Sequence, residues 1–190
     1  MRALLTRMTL LLFLLALPLA VSSQKNKIYY YTNSGDVSFK SDAEQELIKA
    51  ISNKLIGILD VNNGTFIFKV FIRTFTGFNS LMQQEHFNEK YLESEEFPEA
   101  SFRGKIIEDI DLSISGIYEV RAKGILTIHG IEMERIIKCR TTVKKDVIFI
   151  KSNFSVLLSD HSIKIPKVVH EKIAGEISIE VNLELNKKSN

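Results

Sequence analysis

The side chains of this 190-residue chain that could carry chemistry are four histidines, one cysteine and a short acidic run. The histidines are His86, His129, His161 and His170, and none belongs to a His-x-His, His-x-x-x-His or Cys-x-x-Cys pattern. Zinc and similar ions are usually held by ligands at such short spacings. The sequence therefore predicts no metal site, and it contains no cofactor motif.

Catalysis would require a nucleophile beside its base, or paired carboxylates in a cleft. Cys139 falls on the apolar face of its predicted strand, where a cysteine is usually an inert small hydrophobe. The glutamates of residues 93–96 are typical of a solvated loop. We therefore predict that the protein is not an enzyme. A hydrolase or isomerase that uses His86 and Asp160 is the alternative that ranks last.

Most of the chain alternates apolar and polar residues, which predicts β-strands with one dry and one wet face. Asn63-Gly64 is a strong signal for a tight hairpin turn. The predicted strands are residues 54–60, 65–72, 100–106, 118–128, 137–143, 148–156 and 177–185. Strands of this kind form a two-sheet sandwich or a closed barrel, and their sequential hairpins favour the barrel. We predict an all-β antiparallel barrel of about eight strands.

Two segments have helical features. Ser41 to Glu44 has the form of a capping box, and Leu47, Ile48 and Ile51 follow at helical spacing. These residues predict a short helix from about Asp42 to Asn53. A second helical turn is predicted within residues 82–90.

The N-terminus has the layout of a secretory signal. Arg2 and Arg7 precede an apolar run over residues 10–17, which Pro18 ends before several small residues. The run is shorter than the roughly 20 residues that a transmembrane helix needs. The sequence predicts a signal peptide over 1–23, cleaved after Ser23, and a single domain over 24–190 that is periplasmic or secreted. Residues 1–23 contain no cysteine to which a lipid could be attached.

Charge and cysteine content exclude two further classes. Removing residues 1–23 takes away two arginines and no acidic residue, so 25 basic residues become 23 against 23 acidic ones. A nucleic-acid binder would need a clustered basic surface. Because the remaining chain is formally neutral, we predict that the protein does not bind nucleic acid. Because Cys139 is the only cysteine, no intramolecular disulfide can form.

Three segments carry a family resemblance. Residues 86–102 join a histidine and an apolar residue to an acidic stretch and then Phe97-Pro98-Glu99-Ala100-Ser101-Phe102. Residues 118–130 form a strand that ends in Gly-Ile-Leu-Thr-Ile-His-Gly, and Asp160-His161-Ser162-Ile163 follows. These segments resemble the signature blocks of the YceI-like family over most of residues 53–185. Residues 28–39 lack the family's early tryptophan, which indicates a shorter branch.

The resemblance implies a lipocalin-like β-barrel with one or two short helices, exported in bacteria, whose apolar tunnel holds a polyisoprenoid or other lipid without catalysis. It leaves open transient membrane contact and a homodimer. His86 and Asp160 would meet at one barrel end and hold a ligand head group, or would simply cap and start turns. The residues expected to line the tunnel are Phe68, Val70, Phe102, Ile106, Val120, Ala122, Gly124, Leu126, Ile150 and Phe154.

The alternative function is a filled barrel that acts as a protein-interaction or stress-related accessory module. An eight-stranded barrel is just wide enough to be filled by its own side chains or to hold one small ligand. The small interior residues Ala100, Gly104, Ala122 and Gly124 either leave room for a ligand or let strands pack closely. About ten buried methylenes would contribute on the order of 8 kcal/mol, enough for micromolar lipid binding before ordering costs.

Overall fold

The computed structural model describes residues 27–188, so the predicted signal peptide lies outside the described residues. Eight antiparallel strands pair in sequence order, and β8 closes on β1 to complete a barrel. The strands are β1 (Tyr29–Asp42), β2 (Leu47–Asp60), β3 (Thr65–Phe71), β4 (Glu99–Ile106), β5 (Gly116–Ile128), β6 (Ile131–Lys144), β7 (Val147–Leu157) and β8 (Glu176–Lys187). The predicted all-β, eight-stranded barrel is confirmed.

The two ends of the barrel differ in their connections. At one end, here called the base, short turns join β2 to β3 and β6 to β7, and residues 107–115 join β4 to β5. At the other end, called the mouth, lie the β1–β2 and β5–β6 turns and two long segments, residues 72–98 and 158–175. No helix within residues 27–188 is long and apolar enough to cross a membrane.

The predicted helix over residues 42–53 is wrong. Strand β1 continues to Asp42, which pairs with Leu47 at the start of β2, and the turn between them is closed by the Ala43 N–H donating to Glu46 O at 3.1 Å. Along β2 the side chains alternate, so that Ala50 is buried whereas Leu47 and Ile51 are exposed. The apolar residues that suggested a helix therefore lie on both faces of one strand: Leu47 and Ile51 face outward, and Ile48 faces the interior. The Ser41 hydroxyl accepts a hydrogen bond from Ala174 N instead of capping a helix.

The second predicted helical segment is confirmed. An α-helix, α1 (Leu81–His86), begins where the Ser80 side chain accepts a hydrogen bond from Gln83 N at 3.2 Å. It continues into a π-helical turn over Phe87–Tyr91. Both lie in the long segment that crosses the mouth.

Aliphatic side chains close the base. Leu59, Ile148 and Leu185 point inward from β2, β7 and β8 and are 1, 0 and 0% exposed. Leu112, from the connection between β4 and β5, packs into the same cluster and is 1% exposed. The Tyr30 hydroxyl adds a hydrogen bond to Lys145 O at 3.2 Å. These packed side chains close the base of the barrel and are here called its floor.

Two glycines allow β4 and β5 to approach closely. Gly104 and Gly124 are directly paired across the two strands. A Cβ atom on Gly124 would lie 2.3 Å from Arg103 O, and one on Gly104 would lie 2.1 Å from Lys123 O. Both contacts are with backbone, which cannot rotate away. Gly104 and Gly124 therefore let β4 and β5 pack closely and do not make room for a ligand.

Candidate functional site

An elongated apolar cavity of about 620 Å³ fills the barrel above its floor. The inward faces of all eight strands contribute to its wall, for example Phe39 of β1, Phe68 of β3 and Val181 of β8. This volume falls within the roughly 300–1,000 Å³ of typical small-molecule sites. The arrangement can surround an apolar chain on every side.

The exposure pattern shows that the barrel is hollow. Phe68, Phe102, Ile150, Phe154 and Ile179 all point inward, yet each is only half-buried because the cavity beside it reaches solvent. Side chains in a filled barrel would be fully buried, as those of the floor are. The alternative of a barrel filled throughout by its own side chains does not describe this geometry.

The structure places nine of the ten predicted tunnel residues in the cavity wall. They are Phe68, Val70, Phe102, Ile106, Val120, Ala122, Leu126, Ile150 and Phe154. Gly124 is not part of the wall, because its backbone is in close contact with β4.

The two predicted head-group residues are placed differently. His86, on α1, lines the cavity at its mouth, and its Nε2 lies 3.0 Å from Lys90 Nζ, so the lysine donates to the ring nitrogen. Asp160 lies in the 3-10 turn Leu158–His161 and is outside the cavity wall. Within residues 27–188 no hydrogen bond or salt bridge joins the two. Other polar residues at the mouth are Glu46, Gln83 and Lys172.

Four phenylalanines that the strand periodicity did not predict form the part of the cavity wall nearest the mouth. Phe39, Phe75, Phe78 and Phe87 contact one another, with ring centroids between 5.1 and 5.9 Å apart. Three of them lie in the mouth segment 72–98, which has no strand alternation. The only signal in the sequence was the abundance of phenylalanine, 12 residues in all.

A polar cluster joins three segments at the mouth beside β5 and β6. His129 Nε2 lies 2.7 Å from Glu93 Oε2, and His129 Nδ1 lies 3.0 Å from the backbone oxygen of His161. Because both partners are acceptors, a ring protonated on both nitrogens donates both bonds. The Phe97 and His129 rings pack edge to face, with their centroids 4.6 Å apart.

This cluster also contains the three non-glycine residues with positive φ among residues 27–188: Glu93 at 42°, His129 at 51° and Ser162 at 57°. Such left-handed conformations cost on the order of 1–3 kcal/mol each and persist only where surrounding contacts hold them. The cluster therefore fixes residues 93–97, the β5–β6 turn and residues 158–162 to one another.

His161 is completely buried below this cluster. Its side chain is 0% exposed, and neither ring nitrogen has a hydrogen-bond partner within residues 27–188. Burial is the largest influence on the pKa of the ring and lowers it; the Asp160 carboxylate opposes this shift, and Arg135 reinforces it. The neutral ring is therefore the form that the fold accommodates.

Replacement of His161 by leucine should flatten the pH dependence of stability. Since the folded-state pKa lies below the unfolded value of about 6.5, the unfolded chain takes up the proton first as pH falls. The neutral ring thus favours folding above about pH 6.5, and this contribution is lost as pH falls toward the folded-state pKa, at up to about 1.4 kcal/mol per pH unit.

We expect the free energy of unfolding to fall less steeply from pH 7 to pH 5 in His161→Leu than in the original chain, as measured by urea titration. Stability at pH 7 should be preserved, because leucine leaves no unpartnered nitrogen behind. The matched control is His170→Leu, which removes an exposed histidine. Parallel pH profiles for the original chain and His161→Leu would contradict this account.

Cys139 is the one thiol in the cavity wall. Burial raises the pKa of this thiol, although a hydrogen bond with Ser152 partly opposes the shift. A protonated thiol is a poor nucleophile. Nearby, the Thr141 hydroxyl oxygen is buried without a partner among the described residues. Within residues 27–188 no group of three or more His, Cys, Asp or Glu side chains could hold a metal ion.

The fold and its cavity define the class of the protein as a lipocalin-like closed barrel with an internal apolar site. The family model for the YceI-like domain matches residues 33–185. The chain belongs to the YceI-like family. A search of curated proteins gave no match.

Several solved structures share the fold at low sequence identity. A polyisoprenoid-binding domain from Saccharophagus degradans, implicated in plant cell wall breakdown, superposes with a TM-score of 0.72 at 12% identity, covering 84% of this chain and 98% of that one. BcnA of Burkholderia cenocepacia superposes with a TM-score of 0.65 at 15% identity, covering 79% of this chain and 95% of BcnA. A YceI protein of Campylobacter jejuni superposes with a TM-score of 0.55 at 16% identity, covering 72% of this chain and 81% of that protein.

Proposed function

We propose that the protein binds and carries a long-chain amphiphile, a polyisoprenoid or another lipid, in the barrel interior and catalyses no reaction. The observation that carries this proposal is the 620 Å³ apolar cavity, closed at the base and open at the mouth. Membership of the YceI-like family and the fold shared with a polyisoprenoid-binding domain support it.

The cavity sets the size of the ligand tail. A methylene group occupies about the volume of a water molecule in the liquid, roughly 30 Å³. A cavity of 620 Å³ therefore accommodates on the order of 20 chain carbons. At about 0.8 kcal/mol for each buried methylene, such a tail contributes more than enough to offset the cost of association. The polar end would then lie at the mouth, near His86, Gln83 and Lys172.

The residues of the wall support binding without chemistry. Burial raises the pKa of its one thiol, and most of the other side chains in the wall are apolar. The proposal also includes export: the apolar N-terminal segment over residues 1–23 would direct the barrel to the periplasm or the exterior. A water-insoluble isoprenoid needs a container to cross such an aqueous space.

The test is organic extraction of the purified protein, followed by mass spectrometry of the extract. We expect a lipid in near-stoichiometric amount, or uptake of added polyprenol by protein that has been delipidated. If delipidated protein holds no endogenous lipid and takes up neither polyprenol nor a long-chain fatty acid, the proposal fails.

Cys139 provides an independent measure of occupancy. As the only cysteine in the chain and part of the wall, it reacts with a small alkylating reagent only through the cavity. We expect added polyprenol to slow its alkylation at least tenfold, whereas the fully unfolded chain should react equally fast with or without the lipid. Equal rates in the folded protein would mean that the lipid lies elsewhere.

A further inference from the structure

Strands β6 and β7 separate towards the mouth of the barrel, and the gap between them is here called the seam. Their ladder runs from Lys144–Val147 near the base to Cys139–Ser152 and ends there. Among the described residues, 131–138 of β6 then pair only with β5, and 153–157 of β7 pair only with β8. The barrel wall therefore has no backbone pairing along the seam.

Residues 158–163 close the seam and are here called the plug. They follow β7 directly, and their 3-10 turn, Leu158–His161, contacts both β6 and β7. Leu158 and Ile163 line the cavity, whereas the His161 side chain between them is fully buried. The plug therefore forms the cavity wall where strand pairing is missing.

Backbone contacts hold the plug, and the His161 ring adds no hydrogen bond to them. His161 O accepts from His129 Nδ1 at 3.0 Å, and Leu158 N donates to Gly175 O at 2.9 Å. Ser162 has a left-handed φ of 57°, a strained conformation that departure of the plug would relieve. Both ring nitrogens of His161 lack a partner within residues 27–188, so the ring would gain hydrogen bonds on reaching water.

Charged and titratable side chains lie around the plug on several elements. Asp160, on the same turn, favours a proton on the His161 ring, and Arg135 of β6 disfavours one. At the β5–β6 turn, His129 and Glu93 contact each other at 2.7 Å. On β8, the Glu176 carboxylate accepts a hydrogen bond from a β7 hydroxyl. Because none of these groups hydrogen-bonds to the ring, a proton there would be an unpaired charge in a buried site.

We propose that the plug is a proton-controlled gate: protonation of the His161 ring drives the plug out of the seam, and the cavity opens between β6 and β7 to release its ligand. An unpaired charge is costly in a buried site but not on a ring exposed to water. Protons therefore bind the open form more tightly and shift the population towards it. The release of a ligand rests on the proposed function, but the opening of the seam does not.

The size of the effect follows from the titration of an exposed histidine. Such a ring takes up its proton near pH 6.5, so the shift towards the open form begins below that pH. Between pH 7 and pH 5 the open population rises by up to about 25-fold, the limit for a ring that stays neutral in the closed form. Because the ligand leaves through the open form, its dissociation rate should rise in proportion.

Dissociation of a bound probe tests the gate. The probe is a pyrene-labelled fatty alcohol, whose head group does not titrate, and an excess of unlabelled alcohol displaces it. We expect the dissociation rate to rise at least about fivefold from pH 7 to pH 5 in the original chain and to stay constant in His161→Leu. The control His170→Leu removes an exposed histidine and should keep the acceleration. A constant rate in the original chain, or an undiminished acceleration in His161→Leu, would overturn the gate.

Hydrogen exchange shows where the barrel opens when no ligand is bound. The amides of Leu158, Ser162 and Ile163 are hydrogen-bonded in the closed plug. After correction for the intrinsic exchange rate, their protection should fall at pH 5, whereas the ladder between residues 139–144 and 147–152 should stay protected. Equal loss at both places would mean unfolding of the whole barrel and would overturn the gate. His161→Gln, whose side chain does not titrate, should abolish the change and replaces the leucine variant if that does not fold.

The two measurements separate the gate from the proposed function. If the protein binds no alcohol probe yet its plug loses protection in acid, the gate stands and the proposed function fails. If the probe binds and neither its dissociation rate nor the protection of the plug changes with pH, the proposed function stands and the gate fails.

Discussion

Substitution of Gly124 by alanine should destabilise the barrel by about 3 kcal/mol, at the upper end of what overpacking costs. The added Cβ would lie 2.3 Å from Arg103 O and 3.0 Å from Gly104 Cα, which are both backbone atoms of the neighbouring strand. No side-chain rotation relieves these contacts, so β4 and β5 must separate and lose hydrogen bonds on either side. Urea denaturation would show this as a lower midpoint.

The matched control for this prediction is Gly175→Ala. A Cβ atom on Gly175 would meet nothing within 4 Å, and its φ is not in the left-handed range. Its replacement should be neutral or slightly stabilising, because alanine reduces the entropy of the unfolded chain. Equal midpoints for the two variants would show that β4 and β5 are not held as closely as the structure places them.

The strands were largely predictable because a barrel wall separates a dry interior from a wet exterior. This separation imposes a strict period of two, and the alternation over residues 118–128 and 177–185 matches β5 and β8 closely. Asn63-Gly64 also marked its turn correctly, and Gly64 adopts a φ of 71° there.

The β1–β2 hairpin was missed because its turn, Ala43 to Glu46, contains no glycine, proline or asparagine. The local residues favour a helix start, and tertiary pairing overrides them: β1 and β2 are both long, and Asp42 pairs with Leu47. Long-range pairing of this kind leaves no local pattern in the sequence. The packed floor was missed for a related reason, since Leu112 reaches it from a connecting segment.

In the candidate site, too, the residues on alternating strands were predictable and those in irregular segments were not. Nine of the ten residues predicted for the tunnel follow the period of two and lie in the cavity wall. The tenth, Gly124, does not, because its position depends on a backbone contact with another strand. The mouth is built from residues 72–98 and 158–175, where burial depends on how two irregular segments meet. The Glu93–His129 contact, across 36 residues of sequence, has no periodic signature.

Substitution of Ala122 by phenylalanine should leave the barrel folded and remove most of its capacity for lipid. Ala122 is buried in the cavity wall at the middle of β5, so the new ring would project into space that the ligand occupies. Displacing about four methylenes of the ligand, at about 0.8 kcal/mol each, amounts to about 3 kcal/mol. We expect polyprenol uptake to weaken on the order of 100-fold, as measured by equilibrium binding.

The control lies on the opposite face of the same strand. Ile117 is 61% exposed, so Ile117→Phe adds an aromatic ring to β5 outside the barrel and should bind polyprenol normally. The stability of Ala122→Phe distinguishes the two barrel architectures. In a hollow barrel the ring is accommodated and the urea midpoint hardly changes, whereas in a filled one overpacking costs about 1–3 kcal/mol. A strongly destabilised Ala122→Phe protein, with Ile117→Phe unaffected, would therefore favour the filled barrel and its role as an interaction module.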